Sequence, residues 1–496
     1  MKASADLLVV GGGTAGLVSA RTAAGLGARV LLVERGRTGG DCLWTGCVPS
    51  KSLLAAAAAA AGARDATRLG VHAERVRIDF PAVMDHVHSA IDHIEPTDSP
   101  ASLRRAGVRV ETGEFCFTGT ASGTVAGRPI RFDQAIIATG SAPLVPKLPG
   151  LSGLDYLTSD TLWDLRALPP RMAVLGGGNI GCELGQAFAR LGSQVTIIEA
   201  TGRLLPREDP AASALVEDAL ARDGARVLTG TGVTGVIPTD AAGSAGGRLV
   251  LQDGTTVGFS HLLVAVGRSP RSAHLGLDAA GVECDQRGHV RVDAQLRTTT
   301  ARIWAAGDIT GHPQFTHLAG AHASLAASNA VLGLRRRIDP TVPRVTFTQP
   351  EVAAVGVSTA GPPDGVRLRS WSLTEVDRAV TDATTAGFTT IATDAKGRVL
   401  GATVVGPRAG EALAELTLAV RHRMRIRDLA GTTHPYPTYA DAGWNAAIAD
   451  VRASLTRPPL STIVRTASTA RRHWVHARAR LSSPLGGLNG LPPRKR

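Results

Sequence analysis

Asp6-Leu7-Leu8-Val9-Val10-Gly11-Gly12-Gly13-Thr14-Ala15-Gly16 decides how this chain folds. The apolar run is the pattern of a strand buried on both faces, and Gly11, Gly13 and Gly16 stand at the G-x-G-x-x-G spacing that turns such a strand into a helix. Glycines there let the backbone close on a pyrophosphate at the helix N-terminus, with Thr14 and Ala15 opening the helix. A second strand over 29–33 ends at Glu34, where a carboxylate can accept hydrogen bonds from a ribose.

The same unit recurs. Residues 173–183 read Ala-Val-Leu-Gly-Gly-Gly-Asn-Ile-Gly-Cys-Glu, with Gly176, Gly178 and Gly181 at the same spacing, Asn179 and Ile180 between the last two, and a strand over 194–198 ending at Glu199. First glycine to acid is 23 residues in each copy, Gly11 to Glu34 and Gly176 to Glu199. One copy alone is often a plain strand-to-helix turn; two in the same register predict two bound dinucleotides. A carboxylate at Glu199 suits a ribose 2′-OH and repels a 2′-phosphate, which favours NADH over NADPH, although Arg203 lies close by.

At 496 residues, with about 150 per domain, the chain has room for roughly three domains and a large core. Hydrophobic residues make up 44% and charged ones 19%, a globular balance. The formal net charge of +12 first suggests nucleic acid, but residues 450–496 hold ten Lys/Arg and one Asp, and the preceding 449 residues carry 44 basic against 41 acidic side chains. The basicity belongs to a tail. No apolar run of 18 residues and no leader-like N-terminus occurs, so the expected location is cytoplasmic.

Five cysteines are too few for a disulfide scaffold at this length, and only Cys42 and Cys47 are close. They stand in Gly39-Gly40-Asp41-Cys42-Leu43-Trp44-Thr45-Gly46-Cys47-Val48-Pro49-Ser50-Lys51, followed by an Ala-rich run, 52–61, of high helix propensity. That places Cys47 near a helix N-terminus, where unpaired N–H groups favour a thiolate. Zinc needs two further ligands, yet Cys116, Cys182 and Cys284 are isolated; no metal site is expected.

This segment resembles the active-site stretch of the class I pyridine nucleotide-disulfide oxidoreductases, the family of dihydrolipoamide dehydrogenase, glutathione reductase and mercuric reductase. The resemblance runs from about residue 5 to about 450 and includes Ala138-Thr139-Gly140, Ala265-Val266-Gly267-Arg268 and Ile303-Trp304-Ala305-Ala306-Gly307-Asp308. It implies an α/β fold of two Rossmann-like domains and an α+β dimerisation domain. The FAD-binding part would span 1–145 and 270–337, the NAD(P)-binding part 146–269 and the interface domain 338–449, which opens at Thr346-Phe347-Thr348; 450–496 is the tail. It further implies FAD on the first glycine loop with Gly40, Lys51, Gly113, Phe115, Ala138, Thr139, Gly140 and Asp308, and NADH on the second with Gly267. Cys42 becomes the thiol that meets substrate, Cys47 the charge-transfer thiol beside the flavin, and Lys51 and Glu183 flank the flavin N5 region. A homodimer with shared active sites is implied too.

The chain departs from the family at the far end. Dithiol-handling members supply from the partner subunit a His followed five residues later by an acid; here Tyr436 and Asp441 occupy those positions, with His434 two residues early. A phenol of pKa ~10 is a poor base at neutral pH where an imidazole of ~6.5 is well placed. Tyr at this place resembles mercuric reductase, although the Cys pair near the C-terminus of those enzymes is absent: no Cys follows Cys284. The expected reaction is NADH to FAD to the Cys42–Cys47 disulfide to an acceptor, a soft metal ion or a disulfide. Dihydrolipoamide dehydrogenase-type or quinone reductase activity is the alternative, and a non-catalytic flavoprotein module the second alternative.

In the tail, Leu460, Ile463, Val464, Ala467, Trp474 and Leu481 recur at helical spacing among Arg465, Arg471, Arg472, Arg478 and Arg480. Such a helix either packs on its own protein or makes a peripheral contact with an anionic membrane. Nucleic acid ranks below both, because no binding motif accompanies the charge.

Overall fold

A computed structural model describes residues 5–239, 246–456 and 458–481; the tail beyond Leu481 and the side chains of Arg480 and Leu481 lie outside it. The first glycine loop leaves a sheet in which Ala5–Val10 runs parallel between Val30–Glu34 and Arg128–Ile137. Val108–Thr112 and Ile303–Ala305 extend this parallel layer at its two sides. The strand Ile303–Ala305 returns to this sheet from the far side of the second nucleotide unit, so the first unit is built from two separated stretches of chain. The apolar strand residues are covered on both faces, as parallel strands require: Leu7, Val9, Leu32 and Ile136 belong to one core, Leu8, Leu31, Val33 and Ile137 to another.

The second loop leaves an equivalent four-stranded parallel sheet, in the order Arg226–Leu228, Gln194–Ile198, Arg171–Leu175, His261–Val264. Val10 pairs with Val33 and Ile137 in the first sheet, and Leu175 with Ile198 and Val264 in the second, so each glycine loop starts at the carboxyl ends of three aligned strands. That is the crevice where open α/β sheets bind ligands. Ser141–Pro143 and Arg268–Pro270 pair antiparallel and tie the two units together.

The last large sheet has five antiparallel strands, in the order Arg344–Thr346, Glu351–Gly356, Val399–Gly406, Phe388–Thr393, Arg367–Ser372. Helix Ala409–Arg421 closes one of its faces through Leu413 and Leu416, which join a core with Val355, Ile391 and Val404. The cysteine helix, Cys47–Asp65, buries Leu53, Ala57 and Ala60 in one core with Met84 and Val87 of helix Phe80–Asp98 and Phe188 of helix Asn179–Leu191. This packing sets the dithiol against the helix that follows the second glycine loop.

Candidate active site

Both glycine loops open on one cavity of about 2310 Å³. Their backbones match: Gly11 and Gly176 have φ of +105° and +111°, and a Cβ on either would lie 2.4 or 2.5 Å from the carbonyl oxygen of Ala138 or Ala265. Gly16 and Gly181 do not line the cavity; a Cβ there would meet the Gly11 or Gly176 carbonyl oxygen at 1.8 or 1.9 Å, so these glycines let helix and strand close up. The middle glycines face the other way. Around Gly178 there is open space, and around Gly13 only the Gly40 Cα at 3.6 Å. Each is the N-cap of its helix with no side-chain cap. Two uncapped helix N-termini on one roomy cavity fit the pyrophosphates of two dinucleotides.

Each acid braces its loop. Glu34 accepts from the amides of Gly12 (2.6 Å) and Gly36 (2.8 Å), and Glu199 from those of Gly177 and Thr201 (both 2.7 Å). Thr14, Ala15, Gly40, Gly113, Ala138, Thr139, Gly140 and Asp308 line the first part of the cavity, and Asn179, Ile180 and Gly267 the second. Asp308 accepts from Ser141 Oγ at 2.6 Å and lies 3.8 Å from the Arg268 guanidinium.

Cys42 lies in the short helix Gly40–Trp44, and Cys47 is the first residue of its long helix, after Gly46, which offers no side-chain cap. Both sulfurs are thiols here and both line the cavity. Cys42 donates a hydrogen bond to Cys47, the largest of the influences that lower the Cys47 pKa to about 6; Thr316, whose hydroxyl lies 3.2 Å from the sulfur, and Lys51 add to it, while burial opposes. The same bond, burial and the charge on Cys47 push Cys42 upward. At neutral pH Cys47 is the thiolate and Cys42 keeps its proton.

One turn along the helix, Lys51 Nζ lies 2.8 Å from Glu183 Oε2 and 4.2 Å from the centre of the Phe347 ring. Glu183 is buried, and its other oxygen accepts from the Phe347 amide at 2.9 Å. A buried carboxylate with both oxygens bonded is held at one point, and it holds the ammonium beside the dithiol.

The model of the pyridine nucleotide-disulphide oxidoreductases matches residues 5–323, and that of their dimerisation domain residues 342–447. The chain belongs to this family. It is an FAD-dependent oxidoreductase that uses a pyridine nucleotide and a redox disulfide, and its dimerisation domain supports a homodimer. Among its relatives, mercuric reductase of Streptomyces lividans is 40% identical over 449 residues, covering 88% of this chain and 94% of that one. Dihydrolipoyl dehydrogenase of Chlamydia muridarum is 34% identical over 471 residues, covering 92% and 99%. Among solved structures, LpdA from Mycobacterium tuberculosis aligns with a TM-score of 0.81 at 30% identity, covering 89% of this chain and 99% of that one. The Cu(II) complex of the HOCl-induced flavoprotein disulfide reductase RclA from Escherichia coli aligns at 0.79 and 25%, covering 88% and 98%.

The three C-terminal candidates do not line the cavity of their own chain. Tyr436 is 68% exposed, and its hydroxyl donates to Asp377; that hydrogen bond, and then the Asp377 charge, raise the phenol pKa. Asp441 is buried and accepts from the Thr438 amide (3.0 Å) and hydroxyl (3.1 Å) at the start of helix Asp441–Leu455. His434 has both ring nitrogens engaged, by the Thr432 carbonyl and by Glu415, each at 2.9 Å, with its ring 5.4 Å from that of Trp444. In this disulfide oxidoreductase His434 and Asp441 thus brace a loop that presents Tyr436 outward.

Sequence reading passed over Thr316 and Asp377, and took Phe347 only as part of a strand. It also passed over the network in which Arg268 and Arg271 (3.1 Å) both bind Asp41, next to Cys42. Only Phe347 carried a signal, its place just after the strand that opens the dimerisation domain.

Proposed function

We propose that this oxidoreductase draws electrons from NADH and passes them through Cys42 and Cys47 to a soft metal ion such as Hg(II). The ionised Cys47 beside the proton-bearing Cys42, on a cavity shared by both glycine loops, carries this reading. Bound FAD supplies the two-electron relay between nicotinamide and sulfur. Two electrons open the Cys42–Cys47 bond, with one proton taken up on Cys42. On meeting the metal ion Cys42 gives up that proton, so that two thiolates hold the soft cation. The two thiolates then yield their two electrons to the metal as the Cys42–Cys47 bond re-forms, so the net change is NADH and Hg(II) to NAD⁺, Hg(0) and one proton. No base has to strip a proton from an incoming dithiol, which agrees with a Tyr436 whose pKa is raised and whose hydroxyl is committed to Asp377.

NADH is preferred because Glu199 closes the second loop with a carboxylate. Arg203, the neighbouring cation, is turned to the carbonyls of Pro206 (2.7 Å) and Glu208 (3.3 Å) rather than toward a 2′-phosphate. The FAD-binding part is assigned to 1–145 and 270–337, the NAD(P)-binding part to 146–269 and the interface part to 338–449, with Tyr436 reaching the dithiol of the partner subunit. The enzyme works in the cytoplasm, where its basic C-terminal helix gives it a peripheral contact with an anionic membrane.

An anaerobic NADH titration tests the first half-reaction: a long-wavelength thiolate–flavin band in the wild type and none in Cys47→Ser supports it. Uptake of two electrons without that band overturns it. A panel of Hg(II), lipoamide, glutathione disulfide and quinones then tests the acceptor, and vigorous lipoamide turnover refutes the metal assignment.

A further inference from the structure

The helix Leu460–Leu481 holds no acidic residue and is too polar to cross a membrane. At about 100° per residue, Leu460, Ile463, Val464, Ala467, Trp474 and Val475 fall within an arc of about 120°. Arg465, Arg472, His473 and His476 lie opposite. Nothing in the described chain covers the apolar arc: Ile463 is 60% and Trp474 48% exposed. Arg471 and Arg478 break the segregation, since both fall inside the arc. Each is laid over the Trp474 ring, with its guanidinium 4.1 and 5.1 Å from the ring centre.

We infer that this helix docks flat on an anionic lipid bilayer with Trp474 at the centre of the inserted face, and that Arg471 and Arg478 pass from the indole to lipid phosphates. The inference rests on the peripheral reading above and gives it an orientation. An aromatic ring flanked by cations suits the bilayer interface, where the indole sits at headgroup depth and guanidinium groups pair with phosphate. A second copy of the helix is a poor occupant, because two faces bearing only positive charge repel. Nucleic acid is a poor one as well: charge would turn the side of Arg465 and Arg472 toward its phosphates and leave Ile463, Val464, Trp474 and Val475 exposed to water. Two such helices in a homodimer would bind one surface together, which raises the affinity above that of a single helix.

The test uses the full-length, FAD-loaded protein and extruded vesicles of phosphatidylcholine, with or without phosphatidylglycerol. Co-sedimentation with the phosphatidylglycerol vesicles alone, falling as salt rises, is expected. At about 1 kcal/mol, or roughly five-fold, per arginine near the surface, Arg471→Ala with Arg478→Ala should weaken partitioning by about 25-fold. Trp474→Glu should abolish it, and all variants should oxidise NADH like the wild type. No binding by the wild type refutes the peripheral reading itself. Wild-type binding that survives both Trp474→Glu and the double arginine variant keeps peripheral attachment and overturns this docking geometry. Release from the vesicles by random-sequence duplex DNA at equal phosphate concentration overturns the choice of lipid over nucleic acid.

Discussion

Replacing Cys42 isolates what ionises Cys47. The Cys47 pKa is lowered to about 6, which at pH 7 leaves about nine-tenths of this sulfur as thiolate. The hydrogen bond from Cys42 leads the causes, ahead of Thr316 and Lys51, and works against burial. Cys42→Ala removes that donor and keeps the others, so Cys47 should climb toward the ordinary thiol value of ~8.5. At that value only about 3% would be ionised at pH 7, a loss of about thirty-fold. Cys42→Ser retains a hydroxyl donor and should stay near the wild-type value. Iodoacetamide labelling of Cys47, followed by peptide mass spectrometry from pH 5 to 9, reads the inflection in both variants. Cys116, Cys182 and Cys284 are resolved as separate peptides. Because the thiolate is the charged form of a group whose pKa is lowered, reactivity persists above about pH 6 and fades as pH falls through it. Equal inflections in the Ala and Ser variants would refute the reasoning and transfer the effect to the helix N-terminus and Lys51.

Lys51→Met leaves a buried Glu183 oxygen without its partner and should cost ~1–3 kcal/mol of stability, much of it recovered in the double variant with Glu183→Gln; thermal unfolding of the four species checks the cycle. Tyr436→His should raise lipoamide turnover by about 10²-fold while leaving NADH reduction of the enzyme unchanged, as stopped-flow and steady-state rates would show. Glu199→Ala removes charge-assisted hydrogen bonds worth ~1.5–3 kcal/mol each and should raise KM for NADH by roughly 10- to 100-fold with less effect on NADPH, and equal increases for both would count against the ribose assignment. Gly16→Ala drives a methyl into the Gly11 carbonyl oxygen at 1.8 Å and should yield protein without bound FAD, read directly from its visible spectrum.

The parts legible in the sequence are those where backbone stereochemistry leaves one residue type. Gly11 and Gly176 hold positive φ against a neighbouring carbonyl, and Gly16 and Gly181 allow a contact that any side chain would block, so the pattern appears as identity and spacing. Cys47 is legible because its chemistry and its place at a helix start coincide. Thr316 was not, because it acts through one contact with a residue 269 positions away, and Phe347 showed only its place by a strand, because its contacts are with the distant Glu183 and Lys51. At the C-terminal end the candidates make local contacts that spacing does not carry. There the five-residue offset between Tyr436 and Asp441 suggests a pair, yet Asp377 takes the phenol, while Asp441 turns to Thr438 at the head of its own helix. Short polar side chains near a helix start satisfy local backbone groups first, and that preference outweighs a motif offset.

The repeat gives each acid a role besides the ribose contact proposed for it. In both copies the carboxylate joins the amide of the second loop glycine to an amide two residues beyond the acid, with bonds of 2.6 to 2.8 Å. The loop is therefore drawn against the end of its second strand by the protein alone, and the uncapped helix N-terminus is aimed before any pyrophosphate arrives. Preorganisation of this kind lowers the entropic cost of binding. It also keeps acceptor positions open, since two carboxylate oxygens offer about four and the brace uses two. Glu34 and Glu199 can thus hold the loop and receive hydroxyl groups together. A 2′-phosphate at Glu199 would meet a charge whose position is set by two amides, so the carboxylate cannot swing aside. Under the NADH preference proposed above, the discrimination between nucleotides would sit in the same joint that shapes the loop.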